Sequence, residues 1–285
     1  MEFIDAVLHY GFLQKALLTS VMVGIICGVI GCFIILRGMS LMGDAISHAV
    51  LPGVAISYMF GINFFFGAVL SGILTAVGIG FVSQNSRIKH DTSIGIMFTS
   101  AFAAGIIVIT MLKSSTDLYH ILFGNVLAVR ASDMWITLGI SLVVLIAVYL
   151  FYKELLVTSF DETMGAAYGL PVRLIHYFLM MLLTLVTVAS LQTVGIVLVV
   201  AMLITPAATA YLLTERLWVM IFLAAGLGSV AAIVGLYFSF TYNLASGATI
   251  VMAATALFVL AFLFSPKHGL LWKTLKTRRK RASLT

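Results

Sequence analysis

Apolar residues in this chain come in long uninterrupted runs, not in the alternating ten-residue pattern of membrane-spanning strands. A helix rises 1.5 Å per residue, so about 20 apolar residues cross the hydrocarbon of a bilayer. That ruler predicts nine spanning segments, at roughly 13–36, 40–60, 63–83, 92–113, 134–152, 174–191, 192–213, 217–240 and 246–265. The connections at 60–63 and 191–192 are very short, and reading either pair as one broken element leaves the count between eight and ten. The expected fold is an all-α integral membrane protein, a polytopic bundle of about nine transmembrane helices. It forms one domain over residues 1–265, followed by a basic tail over 266–285.

Composition agrees and excludes the alternatives. Of 285 residues, 62% are hydrophobic and 9% charged, where soluble domains carry about a quarter charged residues. Twenty-six charges cannot cover a water-soluble globule of this length, so a soluble enzyme, a nucleic-acid-binding domain and a disordered chain are excluded. The net charge of +6 is an orientation signal. Seven of the sixteen Lys and Arg residues follow Pro266, and beside a membrane segment such a run marks the cytoplasmic side, attracted to anionic headgroups. With that end inside and nine alternating crossings, the cytoplasm receives Arg37, Arg87, Lys89, Lys153, Arg173, Arg216 and the seven tail residues. Only Lys15, Lys113 and Arg130 fall outside, which is a clear positive-inside distribution for an N-out, C-in protein of the plasma membrane. The first ten residues hold Glu2 and Asp5 and no Lys or Arg, so the opening lacks the basic start of a cleaved signal peptide. Cys27 and Cys32, five apart on a helix, face different ways and predict neither a disulfide nor a CxxC metal site.

Two connections are long. Residues 114–133 lie outside and, being partly apolar, are expected to fold onto the membrane surface. Residues 153–173 lie inside, and Asp161 to Tyr168 reads as a short helix with acids in its first turn, Gly169 near its end and Pro171 as a stop. A short helix held in a cytoplasmic loop between spans suggests a docking element for a soluble partner.

Of the ten acids, nine fall in loops or at segment ends, and only Asp44 falls inside an apolar run. An acid at the centre of a spanning helix costs on the order of 2.5–3.5 kcal/mol on insertion scales, so it demands a reason. His48, four residues on, lies on the same helix face, and a carboxylate with an imidazole converging there are two ligands for a divalent cation. Pro52 cannot bond the carbonyl of residue 48, so a kink and a free oxygen are expected at His48. The same pair is also compatible with a proton pathway, or with a satisfied polar contact between packed helices. Elsewhere, Asp117 and His120 read as an exposed polar face and Asp91–Thr92 as a helix N-cap. His9, His90 and His268 read as segment-end residues, and His176 as interfacial. Pro206 is expected to kink the seventh span, and Gly24/Gly28 and Gly67/Ser71 to permit close helix packing. Neither GxxxxGK[ST] nor HExxH occurs, so the chain has no phosphate-cradling loop and no zinc-protease motif. Energy for transport then comes from a partner or from a gradient coupled through Asp44 and His48.

The stretch RGMSLMGDAISHAVLPGVAI, Arg37 to Ile56, resembles the signature of the permeases of manganese, zinc and iron ATP-binding-cassette importers. Further similarity lies at DTSIGIMF (Asp91 to Phe98), LFGN (Leu122 to Asn125), DETMGAAYGLPV (Asp161 to Val172) and LVVAMLITPAATA (Leu198 to Ala210). The resemblance covers the chain from Phe12 to about Trp272 and is nearest to the manganese members; the basic extension belongs to no family pattern. It implies a homodimeric pore that receives its metal from an extracellular metal-binding receptor protein and is powered by two copies of a separate cytoplasmic ATPase. The chain itself would be no enzyme, and its only metal would be the transported divalent cation, Mn²⁺ ahead of Zn²⁺ or Fe²⁺. The intramembrane ligands implied are Asp44 and His48. The short cytoplasmic helix becomes a coupling helix, with Asp161, Glu162, Ala166 and Gly169 at the ATPase. A stand-alone proton-coupled metal carrier is the alternative from a different class.

Overall fold

The computed structural model describes residues 2–111 and 126–265, and these residues form helices without strands. In chain order the helices are α1 (Glu2–His9), α2 (Gly11–Leu36), α3 (Met42–Ala49), α4 (Leu51–Phe60), α5 (Phe64–Asn85) and α6 (His90–Met111). After a single 3₁₀ turn (Val126–Ala128) come α7 (Ala131–Leu150), α8 (Tyr152–Phe160), α9 (Glu162–Ala167), α10 (Val172–Val194), α11 (Ile196–Leu213), α12 (Leu217–Tyr242) and α13 (Ser246–Phe264). Eight helices are long and apolar enough to cross a membrane: α2, α5, α6, α7 and α10 to α13. The ninth crossing is the pair α3 and α4, which continue one another across Val50. The readings at Asp117, His120, Leu122–Asn125, His268 and the basic tail lie outside the described residues.

The bundle has two distinct ends, called outer and inner after the side on which the positive charges are expected. The α4–α5 turn, Arg130 to Asp133 and Leu191 to Thr193 line one cavity at the outer end. Leu36, Ser159, Thr214 and Leu217 share a cleft at the inner end, where the Ser265 hydroxyl also donates to the carbonyl of Leu212. Residues 191–193 and 214 therefore lie at opposite ends. The short connection at Gly195 (φ +83°) separates two complete crossings, α10 and α11.

Hydropathy is nearly uniform over the eight long helices, but burial is not. Most of α2 and α10 is enclosed by protein, whereas α6 and α13 turn most of their surface outward. Without a hydrophobic driving force in lipid, helices associate through close packing at small residues. A Cβ on Gly24 would lie 2.8 Å from the Gly228 carbonyl, and one on Gly28 2.8 Å from that of Ala224. The backbones of α2 and α12 meet there, and any larger side chain would force them apart. Gly67 of α5 meets Gly53 of α4 in the same way, as the small-residue pattern predicts.

Pro206 lies inside α11, within the span where the kink is expected. Two local expectations are corrected. α6 begins at His90, so Asp91 sits in its first turn and complements the helix dipole instead of capping it. Residues 153–173 are no loop with one helix in it, because α8 continues almost directly from α7 past Phe151.

Candidate metal pathway and cytoplasmic docking segment

The site begins with a tight turn. Gly38 (φ +66°) ends α2 in a Schellman arrangement, its N–H bonding the carbonyl of Ile35 and that of Met39 the carbonyl of Ile34. α3 starts at Met42, which puts Asp44 in its first turn and His48 in its last. The ladder opens at Val50, two residues beyond the kink expected at His48, because α4 starts at Leu51 with Pro52 in its first turn. Pro52 has no N–H for the carbonyl of His48, and beside it the carbonyl of Ala49 accepts from the Ser71 hydroxyl of α5 at 2.7 Å.

Asp44 lies deep although it opens its helix. Gly43 faces the Leu203 side chain, ten residues before the cytoplasmic end of α11, which is about 15 Å of helix. One turn on, Ile46 and Val50 approach Gly72 together with Thr184, in the middle of α10. The His48 ring lies 5.6 Å from those of both Phe98 and Phe102, eight and twelve residues into α6. All three helices place the pair near mid-depth.

His48 Nε2 is 3.5 Å from Asp44 Oδ1, longer than an established hydrogen bond and close to the separation of about 3 Å between neighbouring ligands on one cation. The Asp44 side chain is 47% exposed and that of His48 27%. Both face an open cavity of about 490 Å³ whose other walls include Ile196, Val200, Thr205 and Val251. His48 Nδ1 is buried without a hydrogen-bond partner, so packing against two phenyl rings orients the imidazole. The described residues contain no group of three or more His, Cys, Asp or Glu positioned for a metal. A single chain thus offers one carboxylate and one imidazole, an incomplete shell that suits an ion in passage better than a resident one.

The segment expected to dock a partner contains the predicted short helix. Asp161 caps α9, its carboxylate accepting from the backbone N–H groups of Thr163 (2.9 Å) and Met164 (3.0 Å) and from the Thr163 hydroxyl. The hydroxyl and then the Met164 N–H hold this carboxyl below the usual carboxylate range. Gly169 (φ +78°) ends the element, with Leu170 N–H on the carbonyl of Gly165. Glu162, Met164, Ala166 and Tyr168 are exposed, while Gly165 is buried against Thr158 and Val172.

Sequence reasoning missed the residues between the two regions. Arg37, counted above only as an inside charge, donates to Thr158 Oγ1 at 2.6 Å and Ser159 Oγ at 3.3 Å, and lies 3.4 Å from His176 Nδ1. His176, near the start of α10, is buried among these groups, and its ring meets that of His90 at 6.1 Å. An Arg at the inner end of a span is ordinary, and partners 121 to 139 residues away carry no local signal.

Comparison with known proteins agrees with this architecture. The chain is 68% identical to the manganese transport system membrane protein MntC of Listeria innocua, over 97% of this chain and 99% of that protein. It is 52% identical to the manganese import system permease protein ScaB of Streptococcus gordonii, over 96% and 99%. The solved structure of PsaBC from Streptococcus pneumoniae in complex with Fab superposes with a TM-score of 0.86 at 53% identity, covering 97% of this chain and 99% of that one. The profile of the ABC 3 transport family matches residues 9–265, nearly the whole membrane-spanning bundle, and the chain belongs to that family.

Proposed function

We propose that this chain is the permease subunit of an ATP-driven importer that moves Mn²⁺ across the plasma membrane into the cytoplasm. The observation that carries the reading is the Asp44–His48 pair, near mid-depth and facing a cavity, in a chain that aligns over almost its full length with manganese-transport membrane proteins. Mn²⁺ takes oxygen and imidazole ligands without thiolate, as the pair offers. One chain supplies two ligands and leaves the cavity open on one side. A second copy related by a two-fold axis would close the cavity and double the donors. An extracellular metal-binding protein delivers the ion at the outer end, and two copies of a separate ATPase dock on α9 at the inner end. Hydrolysis belongs to that partner, since the sequence has no phosphate-cradling GxxxxGK[ST] loop.

Uptake of radioactive manganese into liposomes tests this. The permease reconstituted with its ATPase accumulates the ion only when ATP is supplied, and unlabelled Mn²⁺ competes more strongly than Zn²⁺ or Fe²⁺. Accumulation by the permease alone under a proton gradient would replace this reading with a stand-alone carrier. Stronger competition by Zn²⁺ or Fe²⁺ would reassign the cargo.

A further inference from the structure

One set of buried polar groups belongs neither to the cation pair nor to the docking helix, yet lies between them. It gathers the inner ends of α2, α6, α8 and α10 around Arg37. From its geometry we propose that Arg37 is a positioning residue, tying the docking unit α8–α9 to α3 so that displacement of α9 by the ATPase is delivered to Asp44. This rests on the importer reading above.

Both sides of the tie are stiff. α8 and α9 are joined by Asp161 alone, whose N–H bonds the carbonyl of Val157 and whose carbonyl accepts from Gly165. A Cβ on Gly165 would lie 3.3 Å from Thr158 Cγ2, so the two helices are in close contact. Thr158 Oγ1 accepts from Arg37 and donates to the carbonyl of Glu154, continuing the chain of hydrogen bonds into the backbone of α8. On the other side, bonds from Met39 to Ile34, Met42 to Met39 and Ala45 to Leu41 leave no slack between Arg37 and the first turn of α3. A second route leaves the same cluster. His90 meets His176 at the start of α6, and the same helix carries Phe98 and Phe102 to His48.

The residue type fits the role. A guanidinium presents a planar fork that engages two hydroxyls at once, where an ammonium is a single point charge. Burial pulls Arg37 below its ordinary pKa, while the charge of Glu162 on the docking helix opposes that pull. Docking helix and tie are thus also joined electrostatically.

The test uses the permease with its ATPase in liposomes, measuring Mn²⁺ taken up and ATP hydrolysed in the same sample. Arg37→Lys keeps the charge and loses the fork, while Thr158→Val with Ser159→Ala removes the acceptors from the other side. In each variant hydrolysis is expected to stay within about twofold of wild type. Mn²⁺ moved per ATP is expected to fall by about tenfold, the loss of one charge-assisted hydrogen bond. Combining all three substitutions should add nothing further, because both changes break the same link. Wild-type ratios of Mn²⁺ to ATP in the variants would overturn the tie. So would a parallel fall of uptake, hydrolysis and ATPase co-purification, which would make Arg37 a structural anchor only. Absence of ATP-dependent Mn²⁺ uptake in the wild-type arm would overturn the importer reading and the tie with it. Coupled variants beside a coupled wild type would overturn the tie alone.

Discussion

The Asp44–His48 pair and the Arg37 cluster start seven residues apart in sequence and place their charged groups in opposite settings. Arg37 places its donors on Thr158, Ser159 and His176, and so holds three chain segments together. Asp44 and His48 stand 3.5 Å apart, half-exposed to a cavity, and His48 Nδ1 has no partner. A buried polar group that lacks a partner costs about 1–3 kcal/mol. His176 Nε2 and both His90 nitrogens, beside Arg37, lack a partner as His48 Nδ1 does, so what separates the two regions is the setting: Arg37 is tied to neighbouring helices, whereas Asp44 and His48 face a cavity that an ion could enter. The contrast separates the groups a passing ion would touch from those that would move them.

The largest effect should come from the pair itself. Asp44→Asn keeps the size of the side chain and removes the charge. Changes one shell further out already cost about 10–100-fold in metal sites, so Mn²⁺ uptake should fall at least that far while the permease still co-purifies with its ATPase. Normal uptake by a normally expressed variant would show that the carboxylate of Asp44 facing the cavity has another purpose. His48→Phe should have the next largest effect. A phenyl ring fits the niche between Phe98 and Phe102, where such ring pairs are worth about 0.5–1.5 kcal/mol, so folding is preserved and only the nitrogen is lost. Uptake is expected to fall by about tenfold or more. Unchanged uptake would make His48 a packing residue and move it to the holding side of the comparison.

How much of this was legible in the sequence follows from which signals are local. The nine crossings were readable because a bilayer demands about 20 apolar residues from each. Asp44 stood out because an acid inside such a run is rare. The short helix α9 was readable through Asp161, Glu162 and Gly169, whose effects reach only a few residues along the chain. Depth was not readable, since hydropathy measures length and says nothing of where a helix sits beside its neighbours. Nor could it separate α2 from α6, one enclosed and the other turned outward, because lipid and protein interior are equally apolar to a Leu or Ile. The Arg37 contacts span more than a hundred residues and arise only from folding. His176 shows the consequence: the sequence places it at the start of a span, and the fold buries it beside Arg37.

The smallest expected effect lies at the edge of the docking helix and asks whether it belongs wholly to the holding side. Asp161→Ala removes the cap of a six-residue helix and leaves the N–H groups of Thr163 and Met164 without their acceptor. The ATPase should then bind the permease several-fold more weakly, with the cation pair untouched. The same cap carries a pH signature. The folded carboxyl titrates below its ordinary value because the Thr163 hydroxyl and the Met164 N–H favour the charged form. Its contribution is therefore complete above the unfolded pKa of about 3.9 and lost as pH falls through the lower, folded value. Amide exchange at Thr163 and Met164 reads this directly. Protection should hold down to about pH 4 and fail below it in wild type, and be weak at every pH in Asp161→Ala. Equal protection in both proteins would show that contact with α8, through Gly165 on Thr158, holds α9 without help from its cap.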